Sequence, residues 1–135
     1  MKTLLVLCLA LAAPLAAHAS SQGEAIISGM NVCMNHSSGA EALRCAKDGF
    51  AAADRLLNKE YAGAIQRIRN NENALGETGL RAEQREWLNE RNTKCGGSPD
   101  SPVRADGSVL GAAEYACFAR MSVDRADAVG EILAD

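Results

Sequence analysis

Residues 80–95 read Leu-Arg-Ala-Glu-Gln-Arg-Glu-Trp-Leu-Asn-Glu-Arg-Asn-Thr-Lys-Cys, and the fold class turns on this stretch. Leu80, Gln84, Trp87, Leu88, Arg91 and Cys95 stand three or four apart, the spacing that places side chains on one face of an α-helix. That face holds the only tryptophan of the chain, so it is the expected meeting place of the other helices.

Toward the N-terminus, Gly39 to about Asn73 is expected as one long helix. Leu43, Ala46, Phe50, Ala53, Leu57, Tyr61, Ile65 and Ile68 recur at helical spacing, with Lys47, Arg55, Lys59, Arg67 and Arg69 on the opposite face. Gly49 and Gly63 interrupt it, each costing up to about 1 kcal/mol relative to alanine, as bends, close helix contacts or plain surface positions. Gly76, Thr78 and Gly79 mark a hairpin turn into the Trp87 helix. A short helix over Gly23–Asn35 leads to Cys33, and Ser38 followed by Glu41 fits a capping box for the long helix.

Toward the C-terminus, Gly96–Gly107 is rich in Gly, Pro and Asp and reads as a surface loop. Ser108 is the expected N-cap of a last helix running to about Ala134, with Leu110, Ala113, Cys117, Met121, Ala128 and Ile132 inward. No strand-like alternation is present. The expected fold is an all-α, small disulfide-stabilised helical bundle, with one long helix in a hairpin with the Trp87 helix plus a C-terminal helix.

Residues 1–19 are expected to be a cleaved signal peptide: Lys2, the apolar run Leu4–Ala13, and Ala17-His18-Ala19 as cleavage signal. The run is too short to span a bilayer, so no membrane insertion is expected. A single domain, residues 20–135, remains, and loss of Lys2 takes the net charge from −3 to −4. A mildly acidic chain without a basic run is a poor partner for nucleic acid. The remaining cysteines, Cys33, Cys45, Cys95 and Cys117, read as two disulfides in an exported domain. A zinc site is the weaker alternative, because Cys-x-x-Cys is absent and His36 is the only histidine after residue 19.

Hairpin geometry selects the pairing. A turn at residues 77 and 78 sets Cys95 level with about Tyr61, which leaves Cys45 roughly 24 Å away along the long helix. Disulfide Cα atoms approach within about 7 Å, so Cys45–Cys95 is excluded, and Cys33–Cys45 with Cys95–Cys117 is the consistent set. The last helix then overshoots the Trp87 helix, its first turns packing on Phe50, Ala53 and Leu57.

Catalytic chemistry finds little support, and no cofactor is implied. His36 beside Ser37 suggests a base and nucleophile, but both sit in a turn and sequence neighbours rarely reach triad geometry. Glu83, Glu86 and Glu90 read as an exposed face paired with basic neighbours. Gln84, Arg91 and Arg125 read as polar members of a packed network around Trp87, not as ligand contacts.

Leu57-Asn58-Lys59-Glu60-Tyr61, Gln84-Arg85-Glu86-Trp87, Arg91, Cys95, Gly107-Ser108, and Cys117 with Ser122 and Arg125 together resemble the LprI-type lysozyme inhibitor N-terminal domain family. Cys33 and Cys45 fit its leading cysteine pair. Asn92 stands where that pattern has Asp after Arg, and Ser122 where Thr is usual. The resemblance implies a helical, disulfide-bonded, non-catalytic protein of the bacterial envelope, periplasmic or secreted, whose protein partner is a lysozyme. The competing reading is a periplasmic interaction or scaffold module without lysozyme inhibition. An inhibitor needs an exposed element to enter a carboxylate-lined cleft, and the candidates are the His36–Gly39 turn and the Gly96–Gly107 loop, with His36 and Arg104 as partner-binding residues.

Overall fold

The computed structural model of the protein describes residues 17–72 and 74–134. They form four helices: α1 Ala17–Asn35, α2 Ala40–Asn70, α3 Ala74–Lys94 and α4 Ala112–Gly130. The fold is an all-α small bundle stapled by two disulfides, Cys33–Cys45 and Cys95–Cys117, with Cα separations of 5.7 and 5.6 Å. Helix α1 begins at Ala17, well before Gly23, and takes in the Ala17-His18-Ala19 motif; the Leu4–Ala13 run lies outside the described residues.

The bundle is built on α2 and α4, which run parallel. At one end Phe50 packs on Tyr115 and Phe118, with ring centroids 6.1 and 5.5 Å away. At the other, Arg67 reaches the carbonyls that close α4. Between them lie fully buried alanines from both helices, Ala53 and Ala64 facing Ala119 and Ala126, whose small side chains let the two backbones approach closely. Helix α1 runs antiparallel to this pair on one side and α3 antiparallel to α2 on the other; among the described residues the backbones of α1 and α3 do not approach each other closely.

This arrangement displaces Trp87 from the centre. Its ring is half-buried, packed on the edge of the cluster formed by Leu57, Ile65, Leu80 and Val129, while Leu88 is exposed. The helices meet along the α2–α4 seam instead. The buried stripe of α4 is also not the expected one: Ala113 and Ala128 face solvent, and Tyr115, Ala116, Phe118, Ala119, Ser122 and Val123 face inward. Cys117 sits at the margin of that stripe, where it bonds Cys95 across to α3.

The hairpin turns earlier than the glycines suggest. Gly76 and Gly79 lie inside α3, and the chain reverses just after Asn71, whose N–H donates to the Arg67 and Ile68 carbonyls. Glu72 takes a φ of 56°, the left-handed conformation that ends many helices. The shift sets Cys95 beside Ala46 and Phe118, not level with Tyr61. Cys95 therefore lies near the Cys45 end of α2, and the distance argument that excluded Cys45–Cys95 does not hold.

Both expected N-caps are also displaced. Gly39, at a φ of 55°, caps α2 in place of Ser38, without a side-chain cap bond. Gly111 caps α4 in place of Ser108, and its N–H donates to Glu114 Oε2 at 2.9 Å. Gly49 is a close-contact glycine: a Cβ there would stand 2.6 Å from Met30 Sδ of α1.

Candidate functional site

The family-motif residues gather on the α2–α3–α4 side of the bundle. Arg91, on α3, is only 3% exposed, and its guanidinium lies over three rings: Trp87 and Phe50 at 5.4 Å and Phe118 at 5.5 Å. Nε and Nη2 donate to Asn92 Oδ1 at 3.2 and 3.1 Å. Burial pushes the Arg91 pKa down, opposed by the charges of Asp54 and Asp100. Two turns back on α3, Gln84 Oε1 accepts from Arg125 Nε at 3.0 Å, and Glu83 lies 3.8 Å from Arg125 Nη2. Leu57 is core, Tyr61 is half-buried beside it, and Ser122 is wholly buried. Asn58 donates to Asp54 at the surface, and Arg85 is exposed. Arg91 and the Gln84–Arg125 bond tie α3 to α2 and α4, while Ser122 Oγ and Arg125 Nη2 are buried without a hydrogen-bond partner.

Arg67 departs from the solvated face expected of it. Its Nε donates to Ile132 O at 2.7 Å and its Nη2 to Gly130 O at 3.1 Å, so a cation of α2 closes the negative end of α4.

The loop between α3 and α4 holds Val109, the most exposed large apolar side chain of the described residues, and Val103, as exposed as Val32 of α1. Arg104 N–H donates to Ser108 O and Leu110 N–H to Pro102 O, which pairs Val103 with Val109 across a short antiparallel bridge. Gly107 N–H donates to Arg104 O, and Gly107 itself has a φ of 83°, making a tight turn with a left-handed glycine. Val103 and Val109 are 56% and 64% exposed, side by side on one face.

The hairpin is held by polar staples. Arg104 donates to Gly96 O at 2.8 Å, Ser108 Oγ at 3.2 Å and Glu114 Oε1 at 2.6 Å. Its charge is thus spent inside the loop. The Glu114 carboxyl is held below its usual range by its own backbone N–H, then by Arg104 and by the Gly111 N–H. Asp106 accepts from the Ser108 N–H and hydroxyl, which lower its pKa in turn. Below, Leu110 is buried against Gly97, where a Cβ would stand 2.7 Å from its Cδ2, and Cys95–Cys117 ties the two ends of the loop.

His36 is exposed in the α1–α2 turn, and the neighbouring Ser37 hydroxyl lies 3.7 Å from Cys45 Sγ, directed at the disulfide. Among the described residues no group of three His, Cys, Asp or Glu side chains is disposed to hold a metal ion. The valine pair escaped sequence reading, although Asp106-Gly107 flanked by valines is a hairpin signal. Phe118 is the inward residue of that turn of α4, one position on from the Cys117 that the spacing sets inward.

No curated protein and no solved structure matches the chain. The family model described as lysozyme inhibitor LprI matches residues 33–129, from the first disulfide cysteine into the last turn of α4. With most of its length matched and both disulfides inside the match, the chain belongs to the LprI lysozyme inhibitor family.

Proposed function

We propose that this protein is an exported lysozyme inhibitor that acts by binding and not by catalysis, released to the periplasm or beyond after removal of residues 1–19. Family membership supports the target class, and disulfides fit an oxidising compartment. The observation that carries the mode of action is the Pro102–Leu110 hairpin. Val103 and Val109 stand in water on a frame stapled by Arg104, Asp106 and the Cys95–Cys117 bond.

An exposed apolar pair adds little to the core of this fold, whereas a rigid display of it lowers the ordering cost of an interface. In this reading Arg104 acts by shaping the hairpin, and the His36 turn is a secondary contact. The competing reading, an envelope interaction module, draws on the groove between α1 and α4 described below. Titrating the protein from Ser20 onward into cell-wall clearing assays with lysozymes of several structural types separates the two. Slower clearing at micromolar excess is expected; clearing unchanged for every type would reject inhibition.

A further inference from the structure

A groove of about 670 Å³ runs along the outer side of α1 and α4, built from residues the hairpin does not use. Its floor is Val123, against which Gly23 lets α1 pass more closely than any side chain would permit. Ile27 and Val32 line the α1 wall, and Val32 is 56% exposed.

The two ends differ in charge. Arg120 donates to Asn31 Oδ1 at 3.1 Å at one end. At the other, Glu24, Asp124 and Asp127 converge, and none of the three forms an ion pair among the described residues. The Asp127 carboxyl is pushed above its usual range by burial, then by the charges of Asp124, Glu131, Glu24 and Glu60. Its Oδ1 is buried without a hydrogen-bond partner. An incoming cation there would relieve the like-charge repulsion among the three carboxylates.

We propose that this groove docks a cationic amphipathic helix of a protein partner, its apolar side chains over Ile27, Val32 and Val123 and its lysine or arginine side chains against Glu24, Asp124 and Asp127. From Gly23 to Asn35 the α1 wall extends about 18 Å, enough for roughly three turns of a docked helix. The negative end disfavours anionic surfaces such as acidic lipid headgroups or nucleic acid.

The probe is a synthetic leucine–lysine amphipathic peptide of about three to four helical turns, added to the isotope-labelled protein from Ser20 onward. Amide shift changes are expected along residues 23–35 and 120–127, with affinity falling steeply with salt. Val32→Lys and Asp124→Lys, each with an unchanged far-UV spectrum, should weaken binding about tenfold or more, while Val103→Lys should not. Shift changes elsewhere, binding indifferent to both groove variants, or equal binding of a glutamine-for-lysine peptide would overturn the proposal. So would a concentration-dependent dimer that buries the groove, since its occupant would then be a second copy.

Discussion

Arg91 donates twice to the neutral amide of Asn92, and no carboxylate bonds its guanidinium among the described residues, though it is 3% exposed between three aromatic rings. A buried cation with a neutral acceptor recovers less of its lost hydration than one paired with a carboxylate. Asn92→Asp places a charge at the position where the existing bonds already point. The half-buried site limits the desolvation cost of the new carboxylate. We expect stability to rise by about 1–2 kcal/mol, read as a higher urea midpoint with an unchanged m-value. An equal or lower midpoint would show that the rings alone satisfy Arg91.

Phe118 and Trp87 invert the ranking that side-chain size suggests. Phe118 is wholly buried between Phe50 and Tyr115, whereas Trp87 lies at the edge of the core. Phe118→Ala should cost about 3–5 kcal/mol, the range for a filled core site. Trp87→Ala should cost less, part of it through the ring removed from Arg91. Equilibrium unfolding of the two variants side by side tests the order, and a larger loss for Trp87→Ala would place the true core on α3.

Arg67 links the far end of α2 to the last carbonyls of α4. Arg67→Met keeps the aliphatic stem and removes the donors, leaving the carbonyls of Val129, Gly130 and Ile132 to water. A loss of about 1–2 kcal/mol is expected, with amide exchange accelerated mainly in the last turn of α4. Uniform acceleration throughout the bundle would mean that the contact is not a local cap.

Two carboxyls give opposite pH responses. Glu77 is pushed down to about 2 by hydrogen bonds from Arg69 and then Arg81. Its contribution is present above its unfolded value and is lost as pH falls from about 4.5 toward 2. Asp127 is raised above the 3.8 reference by burial and by neighbouring carboxylates. Its favourable contribution exists below that reference and is lost as pH rises through the folded value. Asp127→Asn should therefore stabilise the protein near pH 7 and leave it unchanged near pH 3. Thermal unfolding at both values checks the sign, and a variant less stable at neutral pH would contradict it.

Periodicity made the helices legible, since Leu57, Ile65 and Ile68 recur at a spacing only a helix brings inward. It did not specify which faces would meet. Alanines carry little hydrophobic signal, yet Ala53, Ala64, Ala119 and Ala126 line the central seam because small side chains allow close approach. The turn was misplaced because glycine marks conformational freedom without requiring its use: Gly79 is helical, while Glu72 takes the left-handed position. The disulfide pairs match those derived from a register that the structure replaces, so that agreement does not support the derivation. At the candidate site, Arg104 was visible as a cation, but its three acceptors are set by loop geometry that spacing does not encode.

The hairpin separates display from support, and the two can be tested apart. Val103 and Val109 are exposed, so Val103→Asp and Val109→Asp, each made singly to keep like charges from facing across the bridge, should alter stability by less than about 0.5 kcal/mol. If the pair is the contact surface, lysozyme inhibition should weaken about tenfold or more, since the charged side chains would meet the cleft carboxylates. Arg104→Ala leaves both valines in place but removes the bonds to Gly96, Ser108 and Glu114. Inhibition should then weaken through a less ordered loop, with faster protease cleavage between residues 98 and 108 and unchanged helix content. A valine variant that inhibits fully would move the contact surface off the hairpin, even if Arg104→Ala is inactive.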